Sequence, residues 1–259
     1  MLRRLLPYAL SKRLFGDRRR FGIVRQKNDP DWREWESKWE EFYFKNQREG
    51  IGLRVNRAGY SIMQHLDLSG LRILEVGPGD IQHTEFWKSK PDTFYIADIR
   101  GNLLELAAKK LAGIGVAYST IALGDDERAT IPLPDESVDA IVTFYSLEHI
   151  HPIDSYLQEL YRILTPGGFV VGAIPAEGGI AWGLGRFLTS RRWMKRNTSI
   201  DPDKIICWEH PNYCDRVIAQ LRQFFEPEKI EYWPLRLPAA DLNLVVRFIF
   251  AKRASGTRA

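Results

Sequence analysis

The chain has 259 residues, 44% hydrophobic and 27% charged, proportions of an ordinary globular protein that exclude a collagen-like, disordered or disulfide-built chain. Two cysteines, Cys207 and Cys214, are too few for a disulfide framework or a structural zinc site, which points to a reducing compartment. The net charge of +4 is unevenly spread, because residues 1–25 carry eight basic side chains against Asp17 alone; a basic arm precedes a mildly acidic body, not a fold with a broad nucleic-acid-binding face.

Along the arm, Leu2, Leu5, Leu6, Ala9 and Leu10 fall within one half of a helix, although Pro7 interrupts it. Arg3 and Arg4 break the apolar stretch too early for a secretory signal, and no run reaches the roughly 18 apolar residues of a membrane span. Two readings stay open: the arm touches an anionic surface, lipid or partner, or it is a solvated terminus. A mitochondrial presequence shares its Arg-rich, acid-poor composition. Asp29-Pro30-Asp31 then has the cap, first-turn proline and acidic residue of a helix start. Trp32, Trp35, Trp39 and Phe42 follow at helical spacing, and a stripe packed on the domain and covering a ligand is expected of them.

From residue 70 short β-rich runs alternate with helical ones: strands are predicted over 71–76, 93–97, 116–121, 138–144 and 169–174, and helices over 81–90, 103–111 and 153–164. That alternation implies an α/β fold, a doubly wound Rossmann-like sheet with helices on both faces. After 174 the pattern lapses into Gly-rich, basic sequence and resumes with a helix at 214–225 and strands at 229–233 and 242–251, seven strands in all. The expected organisation is an arm (1–28), a domain (29–252) whose cofactor half is 70–174 and whose acceptor or lid region is 175–212, and a tail (253–259).

Ligands of such sheets bind at the carboxyl ends of the strands. Glu75-Val76-Gly77-Pro78-Gly79-Asp80 follows the first strand, a turn whose glycines let the backbone approach a ligand. Its carboxylates would repel a dinucleotide pyrophosphate but suit the ammonium and sulfonium of S-adenosylmethionine. Asp98, at the end of the second strand, is placed to accept both ribose hydroxyls. Asp125 and Asp126, after the third, are within reach of an adenine edge.

These residues, with Ile131-Pro132-Leu133-Pro134-Asp135, Leu147-Glu148-His149-Ile150 and Leu164-Thr165-Pro166-Gly167-Gly168, resemble in order the signatures of a class I S-adenosylmethionine-dependent methyltransferase of the type 11 group. The resemblance implies a methyltransferase with S-adenosylmethionine as cofactor. Glu75, Gly77 and Gly79 would surround the methionine moiety, Asp98 and Ile99 the ribose, Asp125 or Asp126 the adenine, and Tyr145 would lie with Ser146 beside the sulfonium.

A hydroxyl acceptor must lose a proton, and His149 and His210 are the candidate bases, each weighed against a structural role. No metal is expected, because Tyr145 stands where related quinone-pathway enzymes would place a further carboxylate. Thr143-Phe144-Tyr145-Ser146 lacks the Pro-Pro-Tyr context of base N-methylation, so nucleic acid is not the expected partner. Glycines, aromatics and arginines over 177–196 suit a lid over a sugar or anionic group. The expected function is O-methylation of a sugar, glycolipid or anionic metabolite in the cytoplasm, with peripheral membrane contact through the arm. The alternatives are methylation of a small lipid-soluble or secondary metabolite, and a non-catalytic S-adenosylmethionine-binding protein of the same fold.

Overall fold

The computed structural model describes residues 1–124 and 130–253. A 3-10 turn (Leu2–Leu5) leads into α1 (Tyr8–Phe15), α2 (Arg18–Phe21), α3 (Pro30–Gln47) and α4 (Gly50–Tyr60). The alternating region supplies β1 (Arg72–Val76), β2 (Thr93–Asp98), α5 (Gly101–Gly113), β3 (Tyr118–Ala122), β4 (Val138–Phe144), α6 (Ile153–Ile163) and β5 (Leu164–Pro175). Helices α7 (Ile180–Leu188), α8 (Ser190–Asn197), α9 (Pro202–Glu209) and α10 (Cys214–Phe224) follow, then β6 (Glu226–Trp233) and β7 (Val245–Ala251).

The seven strands order as β3-β2-β1-β4-β5-β7-β6. The first five run parallel, and β7 is antiparallel to both neighbours. Side-chain alternation divides the core between the two faces. Leu74 and Val76 of β1 join α6 and α10 on one side, while Ile73 joins α4 and α5 on the other. A third core stands apart from the sheet: Trp32 and Trp35 of α3 pack with Met194 of α8 and with Ile205, Cys207 and Trp208 of α9. The expected aromatic stripe is therefore a packing face, and it closes over the strand ends.

Two local expectations change, and one of the readings left open for the arm falls. The helix expected over 81–90 is a 3-10 turn, Gln82–Phe86, entered through Ile81 in the left-handed region; Ser89, beyond it, accepts through Oγ from Leu68 N (2.8 Å) instead of continuing a helix. The segment 177–196, whose glycines, aromatics and arginines suit a lid, is helical, holding α7 and nearly all of α8, and α9 follows it. Nor is the arm a frayed terminus. Phe15 is 1% exposed, the Arg3 guanidinium grips both carboxylate oxygens of Asp215 at 2.8 Å, and Arg18 donates to the carbonyls of His210 and Pro211 (2.6 and 2.8 Å). Gly183 makes the docking possible, since a Cβ there would lie 2.7 Å from the Phe15 ring.

Candidate active site

One cavity of about 1030 Å³ lies at the carboxyl ends of β1, β2 and β4, roofed by α3, α8 and α9. At its sheet end is the turn after β1. Gly77 and Gly79 both have left-handed backbones, φ +64° and +54°, open to glycine at little cost. A Cβ at Gly77 would meet Ser146 Oγ at 2.5 Å, and one at Gly79 would strike the Tyr43 hydroxyl.

The acidic residues around this turn are already engaged. Glu75 is 1% exposed, with His83 Nε2 at 2.9 and 3.0 Å from its two oxygens. Trp87 Nε1 donates to His83 Nδ1 (2.9 Å); an indole N–H only donates, so His83 carries its proton on Nε2 and gives it to Glu75. Burial pushes the Glu75 pKa up, against the pull of His83. Asp80 is ion-paired with Arg48 and accepts from Gln82 Nε2 (2.6 Å). The turn thus presents a compensated acid pair, and neither His83 nor Arg48 carried a motif that would have announced it.

Asp98 sits at the end of β2 and lines the cavity. It accepts from Arg100 N (2.8 Å), and burial raises its pKa. Ile99 beside it lines the cavity and is 46% exposed, at a mouth. Tyr145 borders the cavity, but its hydroxyl turns away to donate to Val55 O of α4 (2.9 Å). Ser146 Oγ donates to Val76 O (3.0 Å), tying the end of β4 to the glycine turn. Asp125 and Asp126 lie outside the described residues.

At the far end His149 and His210 meet edge to face, ring centroids 4.6 Å apart. Their charge states are opposite. Against the burial that opposes charging, the Glu209 hydrogen bond and the Glu148 carboxylate push His149 up to about 9. Burial and the Arg186 guanidinium push His210 down to about 4. Glu209, with His149 Nδ1 3.3 Å from Oε2 and Trp35 Nε1 donating to Oε1, is held down at about 2 despite its burial. Burial lifts Glu148 to about 7, and among the described residues its Oε2 has no hydrogen-bond partner.

His210 Nδ1 lies 3.1 Å from Glu177 Oε2 and 3.4 Å from Arg186 Nη2. The carboxylate contact is the shorter and places the proton on Nδ1, leaving Nε2 to accept. Glu177 is fully buried, bound by Arg186 through both oxygens and by Trp182 Nε1 (2.9 Å). The sequence points to both histidines, and to Glu177, Arg186 and Glu209 only as members of their segments, with nothing in the spacing to say that these three set the histidines.

Residues 74–172 match the family described as "Methyltransferase domain". The ubiquinone/menaquinone biosynthesis C-methyltransferase UbiE of Enterobacter sp. (strain 638) is 31% identical over 111 residues, 40% of this chain and 43% of that protein. The malonyl-[acyl-carrier protein] O-methyltransferase of Yersinia pestis is 28% identical over 134 residues, 52% and 45% of the two. The chain thus spans less than half the length of these curated relatives. Among solved structures, the [4+2]-cyclase SpnF superposes with a TM-score of 0.52 at 17% identity, covering 78% of this chain and 81% of that one. A methyltransferase of Methanosarcina mazei gives 0.51 at 16%, covering 75% and 97%. Residues 74–172 are therefore a class I S-adenosylmethionine-dependent methyltransferase domain of the type 11 group, and S-adenosylmethionine is the cofactor of that domain.

The residues present fit that cofactor. Gly77 and Gly79, both with left-handed backbones, bring bare main chain to the cavity wall, and Asp98 brings a buried carboxylate to the same cavity. Gly77, Gly79 and Asp98 are the residues that would hold it.

Proposed function

We propose that the chain methylates an oxygen of a small acceptor that combines an apolar or aromatic body with an anionic group. The observation that carries this reading is that one cavity joins the glycine turn and Asp98 to the His149–His210 pair. S-adenosylmethionine, when bound, supplies an electrophilic methyl group. The protein's own work is to align the acceptor oxygen and take its proton.

The acceptor half is walled by Trp35, Trp39, Phe42, Trp208 and Met194, which suits a flat or apolar body. His149, charged up to about pH 9, offers a fixed cation inside that wall, and Arg25 and Lys27 line the cavity beyond it. Neutral His210, held on Nδ1 by Glu177, presents Nε2 as the base. The same walls support methylation of a lipid-soluble metabolite as the second reading, since indole rings accept a sugar, a quinone-like ring or an acyl chain alike.

Transfer from methyl-labelled cofactor to a panel of phenols, carboxylates, sugars and acyl acceptors tests the proposal. His210→Ala is expected to lower turnover by about 10²–10⁴ with cofactor affinity unchanged. Labelled product that forms equally fast in wild type and variant removes His210 as base. Binding of the cofactor with no transfer to any acceptor class favours a non-catalytic member of the fold.

A further inference from the structure

We propose that the face formed by the N-terminal arm, α7 and α8 docks on an anionic lipid bilayer. Residues 1–25 and 180–199 together contain thirteen basic residues against one acidic, Asp17, whereas the rest of the chain holds 24 basic and 32 acidic. The two segments are joined in space, since Leu14 and Phe15 of α1 lie on Gly183 of α7.

Lys12, Arg18 and Arg25 are half-buried and Lys195 is exposed; the other nine basic residues fall into two groups. Arg3, Arg186 and Arg191 point inward and are matched by Asp215, Glu177 and Asp203. Arg4, Arg13, Arg19, Arg20, Arg192 and Arg196 are exposed. Leucines are exposed beside them: Leu5 is 81% exposed, and Leu184 and Leu188, one turn apart on α7, are 48% and 52%. The 3-10 turn Ala240–Leu242 adjoins them, because Leu2 N donates to Asp241 Oδ2 (2.9 Å), and it adds Leu242 at 49%. Charge alone would suit any polyanion. Arginines alternating with protruding leucines suit a surface with phosphates at one depth and hydrocarbon just below it.

The cavity reaches this face. Ile23, Val24, Lys27 and Ser190 are part of its wall, and Val24 is 52% exposed. An acceptor carried in the lipid would enter there. That last step rests on the proposed methyl transfer; docking itself does not.

Co-sedimentation of the full chain with phosphatidylcholine vesicles, with and without one third phosphatidylglycerol, tests the proposal. Binding is expected only to the anionic vesicles and should weaken as salt shortens the reach of the charges. Arg13→Gln with Arg192→Gln should lower the partition coefficient by about 25-fold, roughly fivefold for each charge removed near the surface. Leu5→Ser with Leu188→Ser should remove the fraction that stays bound at high salt. Hydrogen exchange of the unaltered protein, with and without anionic vesicles, should show new protection over 1–25 and 180–199. Equal binding to neutral and anionic vesicles, wild-type binding by both variants, or protection elsewhere overturns the assignment. Retention on polyglutamate without vesicle binding overturns it in favour of an acidic protein partner. Asp98→Ala, at the opposite end of the cavity, should bind vesicles as wild type does, so failure of the cofactor site and failure of docking are read separately.

Discussion

Asp98 and His210 act through what surrounds them. Asp98 ends a strand with burial raising its pKa and one backbone N–H holding it in place, so it is oriented before any ligand arrives. A hydrogen bond to a charged group contributes about 1.5–3 kcal/mol, and Asp98→Ala should weaken S-adenosylmethionine by that amount in calorimetry; unchanged affinity would remove it from the ribose site. The histidines give the pH dependence a definite sign. His210 is lowered to about 4 and His149 raised to about 9. Turnover that needs a neutral His210 and a charged His149 should rise near pH 4 and fall near 9. His149→Gln should abolish the alkaline limb and leave the acidic one. A profile of kcat against pH for the two proteins decides it, and an alkaline limb that survives the substitution assigns it to another group.

Helices α7 and α9 are tied to the sheet by charge, and these ties set local stability. Arg186 and Glu177 are both buried, and removing one member of such a pair typically costs 3–5 kcal/mol because the other is left uncompensated. Arg186→Met should therefore destabilise by about that much in denaturant unfolding, whereas a surface-like loss under 1 kcal/mol would show that water reaches Glu177. Linkage gives a second check. His149 has a raised pKa, so its pairing with Glu209 contributes in full below the unfolded value of 6.5 and is lost as pH rises through about 9. Melting between pH 7 and 10 should show a decline that His149→Gln lacks. Contacts of this kind also mark where sequence reading runs out. The glycine turn at 77–79 and the strand end at Asp98 are legible because each depends on local spacing. Glu209 and His149 lie 60 residues apart, and nothing in the spacing of either reports the other. Helix α7 is hidden because the glycines over 177–196 suit a lid, whereas Gly183 is small to admit the Phe15 ring.

At the scale of the whole molecule, the segments that resemble the family build the five parallel strands and the cofactor end, and the segments outside it add β6, β7 and the roof. Arg100, two residues beyond Asp98, stacks its guanidinium 3.8 Å from the centre of the Trp39 ring, and Arg48 joins Asp80 to Tyr43. Residues that border the cofactor end are thus held by α3, whose Trp35 reaches Glu209 at the histidine end. A ligand that orders the turn should be felt across the roof. Cofactor at 100 times its dissociation constant adds about 2.7 kcal/mol to stability, and in a chain of this size each kcal/mol raises Tm by about 2–4 °C, so an increase of about 5–10 °C is expected. Calorimetry follows the whole fold, while tryptophan emission is weighted towards the roof, where Trp32, Trp35, Trp39, Trp193 and Trp208 cluster. If roof and sheet are one cooperative unit, the two melts coincide and rise together on adding cofactor. Trp39→Ala removes the Arg100 stack while leaving Asp98 in place, and should shrink the cofactor-induced rise seen by emission more than that seen by calorimetry. Equal rises by both methods in that variant would mean that the roof closes without the Arg100–Trp39 contact and that its coupling to the sheet runs through Arg48 and Asp80.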